Sequence, residues 1–147
     1  MVRSTHVLWT TGEDPAAREL LARITADWTP VYGPPIPGDP ASIVPSDLPH
    51  YVALLDGERP VAGGGLRPLG GRIAEVKRMY VMPDRRGEGL ARRLLDELEA
   101  LARDAGYERL RLDATGTLPR LYRSAGFHEI PDYNGNPHAS FWAEKPL

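Results

Sequence analysis

The sequence predicts a mixed α/β domain built on one sheet, mostly antiparallel with a single parallel crossover, with helices on both faces. Three features carry that expectation. Short apolar runs of strand character recur between turns marked by Gly, Asp and Pro. Two longer runs repeat apolar residues at helical spacing. One of these helices, about fifteen residues long, stands between two strand-like runs, which suits a parallel crossover rather than a hairpin.

Taken in order, residues 7–9 form a first short strand. Asp14 caps a helix that opens on Pro15, and Ala17, Leu20, Leu21, Ile24 and Trp28 give it an apolar stripe ending near Pro30. Residues 29–49 hold seven of the fifteen prolines, so regular structure cannot run far. A loop of that length in a small domain is expected to be a lid or binding wall. Strands at 51–55 and 61–66 flank the turn pair Asp56-Gly57, and Gly70-Gly71 reverses the chain into a strand over 72–81, completing a meander. A helix over 89–105 buries Leu90, Leu94, Leu95, Leu98, Leu101 and Ala102 and stops at Gly106. In the next strand Leu110, Leu112 and Ala114 alternate with Arg109, Arg111 and Asp113. A short helix over 118–124 precedes a final pair of strands near 127–130 and 140–144. With 147 residues and no repeat, low-complexity tract or linker, residues 1–147 read as a single domain with one core.

Composition narrows the chemistry. A formal net charge of −2 argues against a general nucleic-acid binder. No run reaches membrane-span length and the N-terminal residues lack an apolar signal core, so a cytoplasmic, membrane-free protein is expected. The absence of cysteine removes disulfides, thiolate nucleophiles and sulfur metal sites. Histidines at 6, 50, 128 and 138 show no short ligand spacing, and no metal is expected.

The most informative segment runs from Val81 through Met82-Pro83-Asp84-Arg85 to Ala91. A strand ends at a proline, a basic glycine-rich turn follows, and a helix begins. Glycines let a backbone approach a ligand, and the first amides of a helix lack intrahelical partners, so this corner is an anion cradle with Arg85 and Arg86 adding charge. Arg86-Gly87-Glu88-Gly89-Leu90-Ala91 fits the pattern Q/R-x-x-G-x-G/A. Downstream, Tyr122-Arg123-Ser124-Ala125-Gly126-Phe127 matches L-Y-x-x-x-G-F, and the stretches 130–137 (IPDYNGNP) and 142–147 (WAEKPL) complete the set. Together they resemble the GNAT acetyltransferases over nearly the whole chain, most strongly from Glu75 onward. A dinucleotide-binding glycine pattern would need a third glycine at position 92, where this chain has Arg92.

The resemblance implies the GNAT-type acyl-CoA N-acyltransferase fold and an N-acetyltransferase that moves the acetyl group of acetyl-CoA to a primary amine by direct attack in a ternary complex. It places the coenzyme A diphosphate on Arg86, Gly87, Glu88, Gly89, Leu90, Ala91 and Arg92, and the pantetheine arm against the main chain of Met79, Tyr80 and Val81. A covalent acyl-enzyme is disfavoured, since there is no cysteine and no serine in a nucleophile-elbow context. Tyr122 matches the tyrosine expected beside the departing sulfur; its alternative is an aromatic that packs the last helix on the sheet. Glu75 aligns with the strand glutamate that serves as base in some members, and strict alternation would put it on one face with Lys77, Met79 and Val81. Its alternative is a carboxylate that is solvated or paired with Lys77, while Asp113 or ordered water could take the proton instead.

This chain departs from the family pattern at Thr115, where an asparagine often contacts the cofactor, and in a shortened loop over 114–117. Specificity is expected from the proline-rich segment with Tyr32 and from the loop over 133–138, with Trp28 and Trp142 as pocket walls or core. An acidic pocket would suit a polyamine or aminoglycoside, and an open groove a peptide amine. A non-catalytic acyl-CoA-binding or sensory module, an enzyme for a longer acyl group, and a homodimer all stay open.

Overall fold

A seven-stranded sheet in the order β1-β2-β3-β4-β5-β7-β6 organises the computed structural model, which describes residues 4–34, 36, 42–116 and 118–147. The elements are β1 His6–Thr10, α1 Pro15–Tyr32, β2 His50–Asp56, β3 Arg59–Gly70, β4 Ile73–Val81, α2 Leu90–Asp104, β5 Arg109–Ala114, α3 Leu118–Ser124, β6 His128–Glu129 and β7 Phe141–Pro146. The β4–β5 pair is parallel and the other pairings are antiparallel. Among the described residues no helix is long and apolar enough to cross a membrane.

The α2 stripe is as expected: all six of its predicted apolar residues are buried, packed with α3 against Val52, Leu54, Leu66 and Val76 on one face of the sheet. Each buried leucine contributes about 1.5–3 kcal/mol. On the opposite face α1 packs Ala17 and Leu20 over Leu48, Tyr51, Ala53 and Met82. Asp14 caps α1 by accepting from the Ala16 amide. The helix passes Pro30 and ends at Tyr32. A proline this near the end removes a single hydrogen bond, while the Thr29 hydroxyl on Thr25 O and the Gly33 amide on Thr29 O hold the last turn. Trp28 is 44% exposed and lies off the buried stripe. Residues 35 and 37–41 of the proline-rich segment lie outside the described residues.

The meander is longer than its alternation suggested. β3 extends well past 61–66 on both sides, although Pro60, three consecutive glycines and Pro68 look like breakers. Gly63 shows why: a Cβ there would sit 2.4 Å from Tyr51 Oη and 2.6 Å from Leu20 Cδ1. The glycine lets α1 and Tyr51 come down onto the sheet. The first reversal falls one residue later than Asp56-Gly57, because Asp56 pairs with Arg59 and Gly57-Glu58 make the turn.

Two irregularities shape the functional region. Gly63 faces Tyr80 and Gly65 faces Lys77, so β4 carries an extra residue opposite Gly64, with Arg78 at φ 59. A bulge restarts the alternation. Glu75 and Lys77 consequently face the α1 side, whereas Met79 and Val81 pack with the α2 core. The expectation that all four share a face is corrected by this one inserted residue. The second irregularity is the β4–β5 ladder, which joins Ile73, Ala74 and Glu75 to Arg109, Leu110 and Arg111 and goes no further. Beyond it the strands part, leaving a gap that opens toward their C-terminal ends.

Candidate active site

β4 leads directly into the cradle. Pro83–Arg85 form one tight turn, and Gly89 caps α2 in the left-handed region at φ 79 with Gly87 at φ 82. A Cβ at either glycine would meet no protein atom within 4 Å, so the requirement is conformational and the space beside them is open. Among the described residues nothing accepts a hydrogen bond from the amides of residues 87–92. Those donors and the positive end of the helix dipole converge on the opening.

A cavity of about 350 Å³ runs from this corner along β4 to Tyr122. Met79, Tyr80, Val81, Arg86, Gly87 and Gly89 line it, as do Leu90 and Ala91 at the start of the helix. Glu88 and Arg92 turn elsewhere. Glu88 receives Arg85 Nε at 3.0 Å, and Arg92 reaches Asp96 and the Ser124 carbonyl. Open space at two left-handed glycines, free amides and a groove beside an unpaired strand edge together fit a diphosphate followed by an amide-bearing arm.

The arginines play a different part from the expected one. Arg85 is fully buried between Asp56, at 2.8 Å, and Glu88. It ties the β2–β3 hairpin to the cradle rather than offering a free charge, and among the described residues its buried Nη2 has no partner. Arg86 lies over the Tyr80 ring at 5.5 Å and donates to Val81 O at 3.0 Å. The groups left facing the opening are therefore mainly main-chain amides.

At the far end of the cavity the buried Tyr122 hydroxyl lies 3.7 Å from Met79 Sδ. Burial, and then the negative charge of Asp113, push this phenol up to about 12. It keeps its proton across the physiological range.

Glu75 sits across the gap, on the α1 side, completely enclosed. Arg67 Nη2 donates to Oε1 at 2.6 Å, while Tyr133 Oη at 2.6 Å and Asn134 Nδ2 at 3.2 Å donate to Oε2. Lys77 Nζ stands 3.6 Å from Glu75 and 2.9 Å from Asp113. Asp113 Oδ2 also receives Asn134 Nδ2 at 2.6 Å and Asn136 Nδ2 at 3.3 Å. Burial alone would raise the Asp113 carboxyl, but the Lys77 charge and these hydrogen bonds outweigh it and hold it below the usual carboxylate range. Tyr133 is pushed far above the usual phenol range by burial and by the adjacent Glu75 charge.

The loop after β6 assembles this network. Asp132 Oδ1 accepts from the amides of Asn134 and Gly135, an Asx turn that fixes the loop's course. Trp142 Nε1 donates to Asn134 Oδ1 at 2.9 Å, which turns the Asn134 amide nitrogen toward both carboxylates. Sequence reasoning missed Arg67, Asn134 and Asn136 individually; the loop over 133–138, expected only to set specificity, is the signal for the two asparagines, and Arg67 on β3 has none. Tyr32 packs its half-exposed ring on His138 at 4.7 Å and on Trp28 at 6.0 Å, and the Arg78 guanidinium lies 4.6 Å over Trp28. Thr115 follows β5 directly, and residue 117 of the shortened loop lies outside the described residues.

The sequence model of the Acetyltransferase (GNAT) family matches residues 11–127. The chain is 34% identical over 114 residues to an IAA acetyltransferase of Azospirillum brasilense, covering 74% of each protein. It is 39% identical over 90 residues to the uncharacterized N-acetyltransferase YjgM of Escherichia coli, covering 57% of this chain and 53%, about half, of that protein. A solved structure from Klebsiella pneumoniae, named as an acyl-CoA N-acyltransferase, superposes with a TM-score of 0.74 at 25% identity, covering 99% of both chains.

Proposed function

This chain belongs to the Acetyltransferase (GNAT) family, and from that premise we propose that residues 1–147 act as one domain that transfers the acetyl group of acetyl-CoA directly to a primary amine in a ternary complex. The observation that carries the reading is the continuous path from unpartnered amides at 87–92, along the free β4 edge, to the Tyr122 hydroxyl. Consumption of acetyl-CoA suits a cytoplasmic protein.

Bound acetyl-CoA would supply a thioester whose carbonyl carbon is open to attack. The chain's own residues do the rest. Amides of residues 87–92 hold the diphosphate, with Arg86 beside them, and the main chain of Met79, Tyr80 and Val81 pairs with the arm. The amine nitrogen bonds to the acetyl carbon as the bond to sulfur breaks and its electron pair stays on sulfur. Tyr122 faces that sulfur. Its phenol, near 12, is a weaker acid than a thiol of about 8.5, so it stabilises the leaving thiolate by hydrogen bonding without surrendering its proton.

The amine's surplus proton passes to Glu75. Because that carboxylate is enclosed, the route is Tyr133 Oη, which accepts a proton while its own moves over the 2.6 Å contact to Glu75. Asp113, on the same network, is the competing destination.

Thiol release over a panel of amines tests the reading. Turnover should need both acetyl-CoA and an amine, and Tyr133→Phe and Glu75→Gln should alter the same limb of the pH–rate profile. If Asp113→Asn alone moves that limb, the proton goes to Asp113. Coenzyme A binding without thiol release from any amine would favour a sensory module, and faster turnover of succinyl-CoA a longer-chain acyltransferase.

A further inference from the structure

The cradle carries an anion of its own. Glu88 stands between Gly87 and Gly89, whose left-handed backbones line the opening, and it directly precedes the residue that caps α2. A carboxylate at that place is attracted to the unpartnered amides and to the positive end of the helix dipole, as a capping side chain is. It would compete with a phosphate for the same donors.

That competition is suppressed in the structure. Both Glu88 oxygens accept from Arg85 Nε, at 3.1 and 3.0 Å, and among the described residues neither accepts from a main-chain amide. The Glu88 side chain is 34% exposed, so burial does not dictate its course; the contact with Arg85 does. Arg85 is fixed in turn. It is fully buried, and Asp56 Oδ2 at the end of β2 accepts from its Nη1 at 2.8 Å. The turn that carries it is anchored to the same hairpin, because Arg59 donates to both Asp84 oxygens at 2.8 Å and the Met82 amide donates to Val61 O at 2.8 Å. Two carboxylates share the one charge of Arg85, so the cluster adds no spare cation to the cradle. Its effect is to set where the Glu88 charge lies.

We infer that Arg85 is a positioning residue for the cofactor: braced by Asp56, it holds the Glu88 carboxylate off the α2 amides and leaves them to the diphosphate. The inference rests on the coenzyme A site of the reading above. It gives Arg85 a part in that site exerted through Glu88 rather than by contact with the ligand.

Calorimetric titration with coenzyme A tests this without turnover. Arg85→Met releases the carboxylate and should raise Kd ~10-fold, the scale of one charge acting a few ångströms from another near a protein surface. In the Glu88→Gln background the same substitution should cost less than ~2-fold, since no charge is released. A purely structural role would give equal losses in both backgrounds. Arg85→Met also removes a buried tie, so a second pair leaves Arg85 in place. Glu88→Asp keeps the charge and shortens its reach, whereas Glu88→Gln keeps the reach without the charge. Glu88→Gln should bind coenzyme A ~10-fold more tightly than Glu88→Asp. Dephospho-coenzyme A, which keeps the diphosphate and lacks the ribose phosphate, should show the same losses. Equal losses in the two backgrounds, equal binding by the two Glu88 variants, or no loss with dephospho-coenzyme A overturns the inference and leaves the transferase reading standing. The expected pattern in a protein that releases no thiol with any amine supports the inference and overturns the transferase reading. Failure of the parent protein to bind coenzyme A overturns both.

Discussion

On the α2 side of the β4–β5 gap, the groups that face the opening are main-chain amides at 87–92, the edge of β4 and the Tyr122 phenol, and the buried Arg85 is already neutralised by Asp56 and Glu88. On the α1 side they are charged side chains, Arg67, Lys77 and Asp113 around the enclosed Glu75. The first side depends on backbone conformation and is indifferent to most side-chain changes. The second is a network in which each charge compensates another, so removal of one member leaves its partners buried and unpaired. One site thus joins a tolerant half to an intolerant half.

Substitutions that respect or violate this asymmetry can break or sharpen it. The largest effect is expected from Gly89→Glu, which forces a side chain into φ 79 and puts a carboxylate beside the diphosphate. Activity should fall about 10³-fold, the upper range for losing a preorganised anion site, and the rise in melting temperature on adding coenzyme A should vanish. A rise of normal size would remove the cradle from the proposal. On the other side, Glu75→Leu strands Arg67, takes the acceptor from Tyr133 and leaves Lys77 with Asp113 alone, and should cost about 3–5 kcal/mol in urea unfolding. A cost below about 1 kcal/mol would mean that the network is not coupled as the contacts indicate.

Smaller effects separate the halves further. Tyr122→Phe should lower kcat by ~10–100-fold, the worth of a hydrogen bond to a charged atom, with little change in melting temperature. Gly87→Ala should cost only ~1 kcal/mol, the penalty for a side chain in the left-handed region, since open space surrounds it. The smallest concerns acid stability. Asp113 has a folded value below its unfolded value of about 3.9. Its contribution is complete above that pH and is lost as pH falls through the folded value. Melting temperatures between about pH 2 and 5 should fall less steeply for Asp113→Asn than for the parent protein.

The same asymmetry governed how much could be read in advance. The α2 stripe, the cradle, the β5 alternation and the α3 motif are contiguous in sequence, and each appeared where its local pattern placed it. β3 was underestimated because its glycines and prolines resemble breakers; their purpose, close approach by Tyr51 and Leu20 at Gly63, lies in other elements. The Arg78 bulge left no local mark, and it moved Glu75 to the opposite face from Met79. Arg67, Glu75, Asp113 and Asn134 come from three strands and a loop, so their convergence could not be seen from spacing.

What the residues determined unaided was everything that depends on neighbours along the chain: helix periodicity, caps, turns, and a glycine corner whose amides point outward. Such features follow from backbone sterics within a few residues. Tertiary packing alone decided which face each β4 side chain occupies, that Arg85 would be a buried tie, and that Glu75 and Asp113 would be gathered with Arg67 and Lys77 on the α1 side. Those outcomes depend on register and desolvation, which exist only once distant segments are in contact.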